Sequence, residues 1–290
     1  MSENTCQTGK LYICATPIGN LEDISLRVLR ILQEVDLIAA EDTRHSLKLL
    51  NHYDIKTSLT SYHEHNAANK GKKLLEKLLS GTNIALVSDA GMPGISDPGT
   101  DLIQLCKTNG IAITICPGAT AGIAALILSG MDSRRYVFEG FLPHGKSQKK
   151  NRKTVIDSLV NEHRTIVLYE APHRLVSTMQ ELKDHLGDRQ VSVVRELTKK
   201  YEEVQQGNLS ELIESYAENP ARGEFVLIIE GVLQNEKSWP DDIVFHVEHY
   251  IQSGKQQMDA IKQTAKDRGV PKSEIYSQYI KQNSGGSDGK

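Results

Sequence analysis

The stretch that decides the fold class runs from residue 83 to residue 99 and reads NIALVSDAGMPGISDPG. It begins with a short apolar run typical of a buried strand, and it continues with three glycines and two prolines. Glycine and proline at this density form a rigid loop whose backbone N–H groups are free to face a ligand. Open α/β sheets bind ligands outside the carboxyl ends of their strands. The stretch therefore predicts an α/β sheet with a binding loop, Ser88 to Gly99, at its ligand end.

The same alternation of apolar runs and amphipathic helices continues from Leu11 to Gly231 and predicts repeated βα units. We expect strands at 11–15, 35–40, 83–88 and 111–116, with helices near 25–34, 67–80, 100–109 and 120–131. A second series has strands at 136–141, 165–169, 190–196 and 224–231 and helices near 147–161, 173–186 and 210–218. Residues 191–206 hold two β-like runs without a long helix between them. They therefore predict an antiparallel hairpin and a mixed second sheet.

These patterns predict two α/β domains and a small helical C-terminal domain. We expect the boundaries at 1–117, 118–232 and 240–283, with a disordered glycine- and serine-rich tail at 284–290. Residues 258–280 have the pattern helix, turn, helix, which fits a helix-turn-helix unit or any αα-hairpin.

Composition limits the classes of function. The net charge of −3 gives no global signal for nucleic-acid binding, so any RNA contact must be local. No apolar stretch approaches the roughly 20 residues of a membrane-spanning helix, and the first ten residues lack a signal-peptide pattern. We therefore expect a cytoplasmic protein without a membrane partner. The four cysteines lack metal-ligand spacing, which argues against a metal site and predicts that Cys14 and Cys116 are buried thiols.

Two further loops, Thr16 to Asn20 and Pro117 to Gly122, also follow predicted strands and are rich in small residues. Small residues at the start of the helix after Pro117 suit either a flat ligand or close helix-on-sheet packing. None of the three loops has the G-x-G-x-x-G or G-x-x-x-x-G-K-[ST] spacing, which disfavours a nicotinamide enzyme and an ATPase.

Six segments in this order closely resemble the bacterial small-subunit ribosomal RNA cytidine 2′-O-methyltransferases, which belong to the tetrapyrrole-methylase-like superfamily. The segments are TPIGNLEDIS (16–25), AEDTRHS (40–46), SDAGMPGISDPG (88–99), PGATAGIAAL (117–126), YEAPHR (169–174) and GEFVLIIEG (223–231). The resemblance implies S-adenosylmethionine bound in the cleft between two α/β domains, usually in a homodimer. It also implies that the substrate is a cytidine of 16S ribosomal RNA, within the small ribosomal subunit.

Carried over residue by residue, the resemblance implies a cofactor pocket that draws on all three loops and on the second domain. Its residues are Pro17, Asp89, Ala90, Gly91, Pro93, Ile95, Thr120, Ala121, Tyr169, Ala171, Gly223, Glu224, Phe225 and Val226. Asp89 is the best carboxylate for the ribose diol, although it could instead cap its own loop.

Methyl transfer to a hydroxyl benefits from a base or from a cation that stabilises the developing alkoxide. Asp42, Arg44 and Lys199 are the candidates, with the alternatives that Asp42 caps the next helix and that Lys199 is an ordinary hairpin charge. No single general base stands out. For RNA contacts the candidates are Lys146, Lys149, Lys150, Arg152, Lys153, Arg174 and Arg195. The basic stretch from Lys146 to Lys153 could equally be a solvated loop.

Two other functions stay open at this point. One is a superfamily relative that methylates a tetrapyrrole carbon or a modified protein side chain. The other is a catalytically silent RNA-binding protein of ribosome assembly. The segments AEDTRHS and YEAPHR favour the ribosomal RNA branch over the first of these.

Overall fold

The computed structural model describes residues 8–218, 223–232 and 242–284, and it leaves out the side chains of Lys146 and of residues 282–284. The described chain divides into two compact units, one within Met1–Leu233 and one within Gln234–Lys290. The first unit contains both predicted α/β sheets, and the second contains the C-terminal helices.

The first sheet is wholly parallel, which is consistent with the predicted repeated βα units, and its strand order is β3-β2-β4-β1-β5. Its strands are β1 (Lys10–Cys14), β2 (Leu37–Ala40), β3 (Leu59–Ser61), β4 (Ile84–Val87) and β5 (Ala112–Cys116). Its helices are α1 (Leu26–Glu34), α2 (Thr43–His52), α3 (Ala67–Leu79) and α4 (Thr100–Thr108), with a short 3₁₀ turn at Leu21–Asp23. The edge strand β3 is a strand that the sequence patterns did not predict.

Helices cover both faces of this sheet, which explains the continuous apolar runs of its central strands. Alternate residues of β4 point to opposite faces: Leu86 joins the core under α3 and α4, whereas Ala85 joins the core under α1 and α2. Cys14 and Cys116 are adjacent partners in the β1–β5 register and are buried, which confirms that prediction. Cys6 lies outside the described residues.

The second sheet is mixed, with the order β6-β7-β10-β8-β9 and only the β6–β7 pair parallel. Its strands are β6 (Tyr136–Phe141), β7 (Thr165–Glu170), β8 (Gln190–Arg195), β9 (Glu203–Asn208) and β10 (Phe225–Ile229). Its helices are α5 (Ala121–Leu128), α6 (Lys149–Leu159), α7 (Leu175–Leu186) and α8 (Leu209–Glu218), with 3₁₀ turns at Lys146–Gln148 and Pro172–Arg174. The antiparallel β8–β9 pair confirms the predicted hairpin. Helices α6, α7 and α8 pack on one face of the sheet, and α5 packs on the other.

The C-terminal unit contains α9 (Ile243–Gln252), α10 (Gln257–Arg268) and α11 (Lys272–Ser284) around a small apolar core. The predicted pattern of helix, turn and helix is confirmed, because Gly269 ends α10 in the left-handed conformation that helix C-termini favour. The predicted disordered tail lies almost wholly outside the described residues. None of the helices in the described ranges is long and apolar enough to cross a membrane.

Candidate active site

Three loops at the carboxyl ends of the parallel strands converge on Gly91. The first loop pairs with it through two backbone hydrogen bonds, from Thr16 N–H to Gly91 O at 2.8 Å and from Gly91 N–H to Thr16 O at 3.1 Å. Gly91 has a φ of +82°, and a Cβ atom built there would lie 3.2 Å from Ile18 Cγ2 and 3.5 Å from Ala119 O. The left-handed backbone and this close approach both explain the glycine.

A cavity of about 280 Å³ opens at this junction, between the loops of the first sheet and the strand ends of the second. That volume is close to the lower limit of small-molecule sites. Ten residues of the predicted cofactor pocket line it: Asp89, Ala90, Gly91, Ile95, Thr120, Ala121, Tyr169, Glu224, Phe225 and Val226. Pro93, Ala171 and Gly223 are not among its lining residues, and Pro17 lines an adjoining cavity that shares Asp89.

Tyr169 joins the start of α5 to the second sheet. Its hydroxyl accepts a hydrogen bond from Gly122 N–H at 2.9 Å. A Cβ atom on Gly122 would lie 3.2 Å from that hydroxyl and 3.3 Å from Val167 Cγ1. The small residues here therefore allow close packing of helix on sheet, while Thr120 and Ala121 beside them face the cavity.

The connection between β8 and β9 closes the opposite side of the cavity through Glu196, Leu197 and Lys199. Glu196 and Thr198 have positive φ values of 49° and 66°, which are unusual for residues other than glycine. A Cβ atom on Gly19 would lie 2.7 Å from Lys199 Cγ and 2.8 Å from Leu197 O, so this connection rests directly on the first loop. The Lys199 Nζ atom lies 3.1 Å from Glu196 Oε1.

Carboxylates dominate the polar lining of the cavity. Glu41, Asp89, Asp97 and Glu224 all face it. Burial raises the pKa of Glu41. Burial and the neighbouring carboxylates, Glu41 first, raise the pKa of Asp97 to about 7, although a hydrogen bond from Ser88 opposes the shift. The site therefore has an anionic lining that favours a cationic ligand.

Asp42 and Arg44 lie outside the lining of the cavity. Asp42 caps α2 by accepting a hydrogen bond from Arg44 N–H at 2.8 Å, which confirms the capping alternative. The Arg44 guanidinium binds the same carboxylate at 2.6 Å, although its side chain is 88% exposed. These hydrogen bonds hold the pKa of Asp42 well below its usual range. The Asp42 N–H group bonds Asp89 Oδ1 at 3.0 Å, so the pair adjoins the site.

The candidate RNA-binding residues fall into two groups. Lys149, Lys150 and Lys153 are exposed at the start of α6. The arginines instead hold carboxylates: Arg152 pairs with Glu181, Arg174 with Glu170 and Arg195 with Glu203. Only the backbone of Lys146 lies within the described part of the chain.

Several lining residues were not predicted from the sequence: Ile18, Glu41, Ser96, Asp97, Phe141, Val194, Glu196 and Leu197. Glu41 and Asp97 had a signal, since each is a carboxylate in a segment that follows a predicted strand. Phe141 had no such signal, because a register shift between Phe138 and Gly140 interrupts the alternation of side chains along β6 before Phe141.

The sequence and the fold of this chain are similar to those of known proteins. The profile of the family described as Tetrapyrrole (Corrin/Porphyrin) Methylases matches residues 10–213. The chain is 50% identical to the "Ribosomal RNA small subunit methyltransferase I" of Halalkalibacterium halodurans, over 93% of this chain and 94% of that one. It is 48% identical to the protein of the same name from Bacillus subtilis, over 94% and 95% of the two chains.

Solved structures share the fold at low identity. Uroporphyrin-III-C-methyltransferase from Thermus thermophilus aligns with a TM-score of 0.54 at 18% identity, over 76% of this chain and 94% of that one. A diphthine synthase aligns with a TM-score of 0.58 at 14% identity, over 77% and 90% of the two chains. The family match covers the first sheet, four of the five strands of the second sheet and the three loops that follow the parallel strands. It confirms the resemblance seen in the sequence. The chain belongs to the tetrapyrrole (corrin/porphyrin) methylase family.

Proposed function

We propose that this chain uses S-adenosylmethionine to methylate the 2′-hydroxyl group of a cytidine in 16S ribosomal RNA of the small ribosomal subunit. The observation that carries the proposal is the identity of 48–50% to proteins named small-subunit ribosomal RNA methyltransferases, over more than nine-tenths of each chain. Because this similarity extends into the C-terminal helices, it exceeds what the shared fold alone requires.

The cavity fits the chemistry of S-adenosylmethionine, which carries a sulfonium, an ammonium and a carboxylate beside an adenosine. Glu41 and Glu224 suit the two cations, and Asp89 suits the ribose diol. Backbone N–H groups of the glycine-rich loop suit the ligand's carboxylate. Ala121, Val226 and Ile95 offer small or apolar walls to adenine. When bound, the cofactor supplies an electrophilic methyl group.

For the acceptor RNA we propose roles for the charged residues around the cavity. Lys199 lines it and is suited to stabilise negative charge on the reacting oxygen or to hold a phosphate. The exposed Asp42–Arg44 pair adjoins the site, where the guanidinium is suited to bind a phosphate through paired hydrogen bonds. Arg174 and Arg195 already hold carboxylates, so RNA contacts from them would be made by guanidiniums that are partly neutralised.

The decisive experiment supplies purified protein and methyl-labelled cofactor to small ribosomal subunits and, separately, to free 16S ribosomal RNA. The subunits come from a deletion strain that lacks this activity. We expect label in the RNA, at one cytidine whose 3′ linkage then resists alkaline hydrolysis. Label in a ribosomal protein, or no label in the RNA, would contradict the proposal. Equilibrium dialysis that finds no cofactor binding would favour the silent RNA-binding alternative.

The exposed lysines of α6 allow a quantitative prediction. If Lys149, Lys150 and Lys153 contact phosphates, changing all three to glutamine should weaken RNA binding and flatten its dependence on salt. Each lost contact lowers the log–log slope by roughly 0.7 to 0.9. Cofactor affinity should not change, because these side chains do not line the cavity. Changing Lys70, Lys72 and Lys73 of α3 to glutamine is the control, and an unaltered slope in the α6 variant would show that its lysines are only solvated.

We also propose that the protein is a homodimer. Helix α5 is apolar throughout, yet Ile123, Ile127 and Leu128 are exposed, and Phe138 of the adjoining edge strand is exposed beside them. Exposed apolar surface of this kind, at an open sheet edge, is typical of a protein interface.

Ile127, which is 65% exposed, should therefore be essential for dimerisation. Size-exclusion chromatography with light scattering is expected to give a dimer for the wild type and a monomer for Ile127→Glu. Leu26→Glu is the matched control, since Leu26 is 85% exposed on α1, and it should remain dimeric. A monomeric wild type, or a dimeric Ile127→Glu, would rule out this surface.

A further inference from the structure

Backbone strain concentrates in two loops that line the cavity. Among the described residues, positive φ values at non-glycine positions occur at Asp54, Ser96, Glu196 and Thr198. The last three belong to the two lining loops. Such conformations persist only where the surroundings hold them, and they cluster at functional sites. Ser96, with a φ of 61°, directly precedes Asp97.

Ser96 lies close to the second sheet. Gly140 lies at the irregularity of β6 with a φ of 62°, and a Cβ atom built there would lie only 2.6 Å from Ser96 Oγ. The glycine thus lets the loop approach the strand. Asp97 then faces the cavity with its carboxylate beside the buried Ser88 hydroxyl.

The charged and titratable groups around Asp97 come from several elements. Glu41 approaches from the β2–α2 connection, Asp89 from the same loop, Glu224 from the start of β10 and the Tyr169 hydroxyl from β7. Glu196 and Lys199 of the β8–β9 connection line the same cavity. Burial, followed by Glu41, Asp89 and Glu224, raises the pKa of Asp97 to about 7. A carboxylate of this basicity is well matched to accept a proton near neutral pH.

The other acidic candidates are less suitable. Asp42 lies outside the cavity lining in an ion pair that depresses its pKa, and so it is a weak base. Asp89 Oδ1 accepts the Asp42 N–H, and Glu41 Oε2 accepts the Asp89 N–H at 3.4 Å, so both hold the loops together. Glu224 is exposed to solvent.

We propose that Asp97 is the general base of the reaction, a role that rests on the proposed function. Its carboxylate accepts the proton of the acceptor hydroxyl as that oxygen forms its bond to the methyl carbon. The electron pair of the broken carbon–sulfur bond stays on the sulfur, and Asp97 later releases the proton to solvent.

Asp97→Asn tests the role because it removes the base and keeps the shape. We expect the single-turnover rate of methylation to fall by roughly 100- to 10,000-fold, while cofactor affinity measured by calorimetry stays close to that of the wild type. The wild-type rate should rise with pH and level off at or below about 7, because the bound sulfonium lowers the pKa of the carboxylate. The residual rate of the variant should lack this transition. Asp101→Asn, four residues further on at the exposed start of α4, is the matched control and should behave as the wild type.

A second readout does not depend on activity. The folded state raises the pKa of Asp97 from 3.8 to about 7, so it binds this proton more tightly than the unfolded chain does. The stability of the wild type therefore falls as the pH rises through this interval and is constant above it. Asp97→Asn should lack this loss of stability. The melting temperature of the variant relative to that of the wild type should therefore increase between pH 4 and 7 and stay constant above pH 7.

The outcomes separate the two proposals. If the wild type transfers no methyl group to ribosomal RNA, the proposed function fails and this role fails with it. If the wild type is active and Asp97→Asn keeps its rate or its pH profile, only the role of Asp97 is wrong. A loss of cofactor affinity that matches the loss of rate would make Asp97 a cofactor-binding residue instead.

Discussion

Gly91→Val is expected to lower the affinity for S-adenosylmethionine by about 100-fold, with the secondary structure intact. Valine at a φ of +82° is strained, because a β-branched residue rarely adopts this region. The strain, of about 1–3 kcal/mol, is relieved only if the loop moves away from Ile18 and Ala119. Such a movement also breaks the backbone pair with Thr16 that holds the first two loops together. Calorimetric titration with the cofactor measures the loss.

Gly110→Val separates backbone strain from damage to the cavity. Gly110 has a φ of +70° and no neighbouring atom within 4 Å of a built Cβ, and it follows α4 outside the cavity lining. The Gly110→Val variant should therefore have similar backbone strain but normal cofactor affinity. Unchanged affinity in a folded Gly91→Val variant would contradict the assignment of the cofactor to this cavity. An equal loss in Gly110→Val would attribute the effect to the fold.

The elements that the sequence predicted are those with long or strongly apolar patterns. β4 appeared as a continuous apolar run because helices cover both of its faces. The β8–β9 hairpin was visible because no helix separates its two β-like runs. The edge strand β3 was missed, since three residues are too few to show alternation.

The loops of the site could be predicted from local sequence, whereas the walls of the cavity could not. Gly91 stands at a left-handed turn, and a cluster of glycine and proline reveals such turns directly. The placement of Phe141 depends on an irregularity in β6, and that of Leu197 depends on strained residues on both sides. Neither feature has a periodic signature in the sequence. The ion pairs of Arg152, Arg174 and Arg195 could not be predicted either, because their carboxylate partners are fixed by packing rather than by spacing alone.

Arg174→Met is expected to destabilise the fold by about 3–5 kcal/mol, because it leaves a buried carboxylate without its counter-charge. Glu170 is 1% exposed, and its Oε1 atom lies 2.7 Å from Arg174 Nε. The Thr178 hydroxyl and the Ala171 N–H also donate to this carboxylate, at 2.6 and 2.8 Å, and they orient it without neutralising it. Urea denaturation followed by circular dichroism measures the change in the free energy of unfolding.

Two comparison variants show whether Arg174 acts through Glu170. Arg174→Met with Glu170→Leu removes both charges and should regain most of the lost stability, since an apolar pair can replace a buried ion pair. Arg44→Ala breaks an ion pair whose arginine is 88% exposed, and it should leave the unfolding transition nearly unchanged. If Arg174→Met unfolds like the wild type and loses only RNA binding, the guanidinium serves the substrate. If instead its stability falls and the double variant recovers it, the primary role of Arg174 is to hold Glu170 at the end of β7, beside the wall that Tyr169 contributes to the cavity.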